Sequence, residues 1–310
     1  MKKYIKYIMT LFMVIILLFT YVTPIGHAQA DKEKITVTTT FLVDIVEQLA
    51  PETFEVVSIV PAGGDPHTYT ATARNLKDIT ESDLVLFHGL HFEAQMAEVL
   101  DALPHTRSVT AEFNNDQLIS ISEDSQEVDP HYWFDIDLYK QSVLTTQQAL
   151  VEIYPEYKKL VNENTERYIE ELDALNQRIH EKVAELPVEQ RILVTPHDAF
   201  AYFAQAYDFT VYAPQGISTE SEVSNDAIIK TVKFIVDNDV PAIFLDTTSN
   251  PQAMEKLQEG VNQQDAEVVV VGGEGQELFS DSLAATGQSN DNYIEMYQHN
   301  VSLIVDHLIR

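Results

Sequence analysis

The spacing of hydrophobic positions along this chain changes twice. From Tyr157 to Leu186 the larger apolar residues fall at 157, 160, 161, 168, 172, 175, 179, 183 and 186, which places them on one stripe of a helix. Pro155 precedes this segment and Pro187 closes it. About 30 residues at about 1.5 Å each predict a rod of roughly 45 Å. A coiled coil competes with this reading, but Asn164 and the polar residues between the apolar positions fit one stripe packed along two domains.

On either side of the rod, strand-like and helix-like segments alternate. Ile35–Thr40 is rich in β-branched residues and reads as a strand, followed by a short helix over 42–50. Phe54–Val60 and Leu84–Phe87 read as further strands, Gly63-Gly64 as a turn, and 135–152 as a helix. Beyond Pro187, strands are expected at Arg191–Thr195, Thr210–Tyr212, Ala242–Asp246 and Glu267–Val271. Helices are expected at 198–207, 224–238, 251–262 and 291–309. Alternation of this kind predicts an α/β fold of parallel sheets covered by helices. Two lobes are expected, 33–154 and 188–310, bridged by one long rigid helix over 155–187.

The start of the chain has a different character. Lys2, Lys3 and Lys6 precede an apolar run from Tyr7 to Val22, and Ala28-Gln29-Ala30 is a small-x-small sequence. Residues 1–30 read as an export signal cleaved after Ala30, with a retained anchor as the alternative. They hold three of the 19 Lys and Arg and none of the 49 Asp and Glu. This leaves 16 against 49 beyond residue 30, a net charge of −33. Such a charge argues against nucleic acid and anionic membrane as partners. The chain has no cysteine, so its lobes rely on their cores, thiolate ligands are excluded, and no lipid is attached to a cysteine.

The candidate chemistry lies in a repeated tripeptide. Asp65-Pro66-His67 and Asp129-Pro130-His131 are the same sequence, and Pro196-His197 repeats its last two residues. Imidazole is the commonest metal ligand among side chains, and proline fixes the backbone beside it. His67 and His197 each follow a predicted strand, one in each lobe, where open parallel sheets bind ligands. A tetrahedral site needs a fourth ligand, and Asp246 and Asp281 are equally placed for it. Pro104-His105 falls in a helix-to-strand connection and is set aside. His88 and His91 read as supporting or incidental, and His180, His299 and His307 as structural.

Six stretches then fit one family in order: Gly63-Gly-Asp-Pro-His67-Thr-Tyr69, Gly89-Leu-His-Phe-Glu93, Asp129-Pro-His131-Tyr-Trp133, Thr195-Pro-His197-Asp-Ala-Phe200, Gln215-Gly-Ile-Ser-Thr-Glu220 and Leu278-Phe-Ser-Asp281-Ser-Leu283. The chain resembles the ZnuA/TroA/PsaA family, the metal-binding receptors of ABC importers. The resemblance implies two α/β lobes bridged by a rigid helix, with the metal in the cleft between them. It implies His67, His131, His197 and Asp281 as ligands, and Asp246 in a supporting position. It also implies a monomer that delivers a divalent metal ion to an ABC permease, outside the cytoplasm.

Three imidazoles and one carboxylate suit Zn2+, while oxygen-rich sites suit Mn2+. Many zinc receptors of the family carry a His-rich loop before the second ligand, whereas here the stretch 114–128 is acidic and has no His. Zinc is expected first and manganese next, as transported cargo rather than a catalytic cofactor. Affinity is expected to fall as pH drops through about 6.5. A zinc-dependent hydrolase is the alternative from another class. It would need an open metal position, and neither His-Glu-x-x-His nor Gly-x-Ser-x-Gly occurs. A surface adhesin is a third reading.

Overall fold

A computed structural model describes residues 32–122, 127–273 and 275–310. The expected export signal and residues 123–126 of the acidic stretch lie outside the described residues. In the first half, β1 (Lys34–Val37), β2 (Glu55–Ser58), β3 (Leu84–Phe87) and β4 (Thr106–Ser108) form a parallel sheet in the order β2-β1-β3-β4. Every residue of β3 is buried, which explains its unbroken apolar run where a half-exposed strand would alternate. β1 ends earlier than the Thr-rich run suggests. Thr39 takes the extended N-cap position of α1 (Thr40–Leu49), while its hydroxyl bonds His88 Nε2 at 2.7 Å instead of capping the helix.

α2 (Ala73–Glu81) carried too little apolar signal to be read from the sequence, whereas α3 (Ala97–Ala102) and β4 flank Pro104-His105, the helix-to-strand connection expected there without bounds. α2 is opened by a reciprocal Thr72–Asn75 capping box and buries few residues, among them Ile79. β4 reads Thr-Arg-Ser and lies at the sheet edge. α4 (Ile136–Ile153) closes this half.

The second half has two parallel pairs. β5 (Ile192–Val194) pairs with β6 (Thr210–Tyr212), and β7 (Ala242–Phe244) pairs with β8 (Val269–Val271). They alternate with α6 (Ala201–Tyr207), α7 (Asn225–Asp237), α8 (Gln252–Asn262) and α9 (Tyr293–Leu308). Val194, Val232, Ile243, Met254 and Leu257 form the core between β5, β7, α7 and α8. Among the described residues no helix is long and apolar enough to cross a membrane.

The rod is α5 (Lys158–Val183), 26 residues or about 39 Å. It is shorter than predicted because Pro155–Tyr157 form a separate 3-10 turn and the last turn stops short of Pro187. Val161, Thr165, Tyr168, Leu172, Leu175, Ile179 and Val183 are its buried stripe. The stripe packs on α1 and α4 from the first half and on α9 from the second. Removing one of these leucines, as in Leu172→Ala, costs about 2–5 kcal/mol. Asn164 donates to the Leu49 carbonyl at 3.0 Å, which accounts for a polar residue beside the stripe.

Where the rod, α1 and α9 meet, one carboxylate is shared. Asp44 Oδ2 accepts from Tyr168 Oη at 3.1 Å and from the Tyr293 backbone N–H at 2.9 Å, and Oδ1 accepts from Gln48 at 3.1 Å. Tyr293 in turn stacks on Tyr139, with ring centres 3.6 Å apart. Burial pushes the Asp44 carboxyl up to about 6, against these hydrogen bonds and with Asp291 adding to the rise. The folded protein therefore binds this proton more tightly than the unfolded chain does. The group's contribution to stability falls as pH rises from about 4 through about 6, by an order of 3 kcal/mol. Urea midpoints at pH 5 and pH 7 should differ less in Asp44→Asn than in the wild-type protein, both stripped of metal.

Candidate metal centre

The repeated tripeptide has a local physical cause. Proline has no N–H, so the first donor after each aspartate is the histidine's own. Asp65 Oδ1 accepts the His67 N–H at 2.9 Å, and Asp129 Oδ1 accepts the His131 N–H at 2.9 Å. The two turns share this backbone bond, and Asp129 Oδ1 also meets the His131 ring at 2.7 Å. His67 follows β2, His197 follows β5, and Asp281 follows β8 past a short bridge between Asp246 and Leu278. All three leave the carboxyl ends of parallel strands, where the unpaired backbone is free to form a site. His131 enters from the segment ahead of α4.

These four side chains converge. One donor atom from each of His67, His131, His197 and Asp281 lies within 4.8 Å of the others. His67 Nε2 and His131 Nε2 are 3.3 Å apart, Asp281 Oδ1 is 3.3 Å from His131 Nε2, and Asp281 Oδ2 is 3.2 Å from His197 Nε2. Bonds of about 2.0–2.1 Å to a tetrahedral ion place donors about 3.3–3.4 Å apart, the edge of the tetrahedron. Three of the side chains are fully buried and His67 is 2% exposed. His197 Nε2 and Asp281 Oδ1 have no hydrogen-bond partner among the described residues. Each has a polar neighbour close by, Asp281 Oδ2 at 3.2 Å and His131 Nε2 at 3.3 Å respectively, yet makes no hydrogen bond to it, which suits donors aimed at a common centre.

The outer nitrogens are fixed by carboxylates. His131 Nδ1 donates to Asp129 Oδ1 at 2.7 Å and His197 Nδ1 donates to Asp246 Oδ2 at 3.1 Å. An ionised carboxylate only accepts, so each Nδ1 carries a proton, and each Nε2 is the nitrogen that presents a lone pair inward once the ring is neutral. Asp246 itself is held by the N–H groups of Thr248 and Ser249 at 3.1 and 2.6 Å. It thus supports His197 and is not one of the four convergent donors. The orienting role of Asp129 escaped the sequence reading, although its place two residues before His131 was a usable signal.

Among the described residues the remaining histidines are accounted for. His88 spends both nitrogens, on Thr39 Oγ1 at 2.7 Å and Tyr132 Oη at 3.0 Å, and burial beside His131 pushes it down to about 3. His105, His299 and His307 bond the carbonyls of Ile79, Glu277 and Leu303, and His180 packs on Tyr207. His91 is exposed and lies on a left-handed turn, with φ of 83°, 55° and 60° at Gly89, Leu90 and His91. Such backbone costs about 1–2 kcal/mol at each non-glycine residue. Glu93 offsets this by accepting the N–H groups of His88 and Gly89 at 2.7 and 3.1 Å and the Thr38 hydroxyl at 2.6 Å. The turn sets Phe92 edge-on against His67, with ring centres 4.9 Å apart.

Charge within the cluster is strongly coupled. Burial alone would lower His131, but Asp129 and then Asp281 raise it to about 9. His197 is likewise raised well above the usual range, against burial, by Asp281 and Asp246. Asp281 is held well below the usual carboxylate range by His197 and His131, although burial opposes this. His67 is pushed down to about 4 by burial, with Asp281 opposing. Without metal the cluster therefore holds protons at neutral pH that single exposed imidazoles would have released. In metal-stripped protein, the His131 ring signal in proton NMR should titrate near pH 9 and that of His67 near pH 4. A common midpoint near 6.5 would contradict this electrostatic picture.

Parallel-sheet α/β halves joined by a long helix, with two histidines and one aspartate buried beyond strand ends and a third histidine buried ahead of α4, describe a receptor for a bare cation. Over residues 35–307 the sequence matches the family described as "Zinc-uptake complex component A periplasmic". The chain belongs to this family of metal-binding receptors of ABC importers, whose members are transport proteins and not enzymes. It is 36% identical to the zinc-binding protein TroA of Treponema pallidum over 296 residues, 94% of each chain. It is 29% identical to the manganese-binding lipoprotein MntA of Bacillus subtilis over 282 residues, 90% of each. A solved TroA structure superimposes with a TM-score of 0.86 at 47% identity, covering 89% of this chain and 99% of that one.

Proposed function

We propose that His67, His131, His197 and Asp281 capture a divalent transition-metal ion as cargo, zinc first and manganese next, and that the protein delivers it to an ABC permease. Delivery takes place at the outer face of the cytoplasmic membrane or in the periplasm, with the protein acting as an exported monomer that has no lipid-bearing cysteine. The observation that carries the reading is the convergence of one buried donor atom from each of the four side chains within 4.8 Å, with His67 Nε2 and His131 Nε2 3.3 Å apart. Three nitrogens and a carboxylate favour zinc. Asp281 turns one oxygen toward His131 and the other toward His197, so a larger ion can take a fifth donor. That fits relatives named for zinc and for manganese alike.

The lobes we propose are 33–154 and 188–310, joined by 155–187. Capture is ligand exchange: water leaves the ion, and the four side chains replace it. Two of those side chains must first give up a proton, so uptake at pH 7 releases on the order of one to two protons. Affinity therefore weakens progressively from about pH 9 downward, above the window that free imidazole would set. A closed four-residue donor set leaves no position for an activated water, which argues against a hydrolase.

Metal content after dialysis against equimolar zinc and manganese tests the assignment. One zinc per chain is expected, lost in a His67→Ala, His197→Ala variant; no bound metal in the wild type overturns it. Asp246→Ala frees the His197 ring and should weaken zinc binding about 10–100-fold with the fold intact. Calorimetry at pH 7 in two buffers of different ionisation enthalpy should show net proton release. Identical heats in both buffers would contradict the coupling described above.

A further inference from the structure

The two halves meet around the centre in two very different ways. Behind it the contacts are buried: Trp133 Nε1 donates to the Ser280 carbonyl at 2.8 Å, Tyr293 Oη to the Trp133 carbonyl at 2.6 Å, and Tyr297 Oη to the Phe134 carbonyl at 2.7 Å. Besides these and contacts such as the Gly63 N–H to Ser282 Oγ at 2.8 Å, the halves meet through residues 215–223, a segment without helix or strand in which no residue is buried. Its start is tied to the centre, since Gln215 bridges His197 in parallel and the Asp198 N–H donates to the Gly216 carbonyl. Its tip reaches the opposite half through two side-chain hydrogen bonds. Thr219 Oγ1 donates to Asp65 Oδ2 at 2.5 Å, and Gln95 Nε2 donates to Glu220 Oε1 at 2.8 Å.

Asp65 is the informative partner. Its other oxygen holds the His67 N–H, so the segment runs from the backbone of one metal-facing histidine to the carboxylate that positions another. His67 is also the only one of the four convergent side chains with any exposure, which places the shortest path to solvent beside it. On its far side the segment borders a cavity of about 380 Å3, lined by Gln215, Thr219, Glu220, Ser249 and Lys256 near the start of α8. The segment therefore has room to swing away from Asp65 without unpacking either core.

We propose that residues 216–222 are the gate through which the ion leaves, and that the Thr219–Asp65 hydrogen bond, seconded by Gln95–Glu220, is the latch that sets the release rate. This rests on the metal-receptor reading above. Thr219 and Gln95 touch no metal; they act through Asp65 and the segment, as positioning residues. Thr219→Val keeps the shape and removes the donor, while Thr219→Ser keeps the donor.

The test is zinc release into excess chelator by stopped flow, together with zinc stoichiometry and the melting temperature of the metal-free protein. A Thr219→Val, Gln95→Ala variant should still bind one zinc, melt like the wild type and release the ion roughly tenfold faster, and Thr219→Ser should behave as wild type. Because the chain has no cysteine, a Gln95→Cys, Glu220→Cys pair can lock the gate selectively. Oxidised, it should release zinc at least roughly tenfold more slowly, and reductant should restore the rate. Wild-type release from both the double variant and the oxidised pair, each with one zinc bound, overturns the gate and leaves the receptor reading intact. A wild-type protein that binds neither zinc nor manganese overturns both.

Discussion

The structure depends on one buried carboxylate. Asp281 lies without solvent contact between His131 and His197, one oxygen toward each, where an ionised group is tolerable only next to positive charge. In the metal-free state protons on the imidazoles supply that charge; a bound cation supplies it more compactly. The orienting aspartates, 129 and 246, follow from the same constraint, because an imidazole that must face inward needs its outer nitrogen occupied. The apolar wall of Phe92 and Trp133 follows too, since excluding water strengthens every interaction inside it.

Holding four donors from four distant loops within a few ångströms requires a frame that does not flex. The rod provides it by burying one stripe against helices of both halves. Asp44 adds a polar joint where α1, the rod and α9 meet, and the Tyr139–Tyr293 stack covers it. Polar groups in such a joint are fully satisfied and so fix geometry in a way that apolar contacts, which slide, do not.

Much of this was legible in the sequence, for reasons specific to particular residues. The rod was visible because its apolar positions keep helical spacing for seven turns, and β3 because four buried residues in a row leave no alternation to confuse. Three of the convergent donors were marked by proline, which leaves a trace in the sequence. Asp281 was not: by position alone Asp246 served equally well, and only the family's pattern separated them. The structure shows why the two are so alike, since Asp246 sits one step behind Asp281, on the far side of the same imidazole. α2 was missed, and β4 was implied only as the strand after Pro104-His105 with no bounds, because a capping box and a polar edge strand contribute little to hydrophobic periodicity.

Trp133 is the chain's only tryptophan. Its indole lies 5.3 Å from the His131 ring, stacks on Phe41 at 5.0 Å, and donates to the carbonyl of Ser280, the neighbour of Asp281. All tryptophan emission of this protein therefore originates at the wall of the centre. An imidazolium beside an indole quenches it and a neutral ring does so less, so the molecule carries its own optical gauge of the charge state of the site, with no label added.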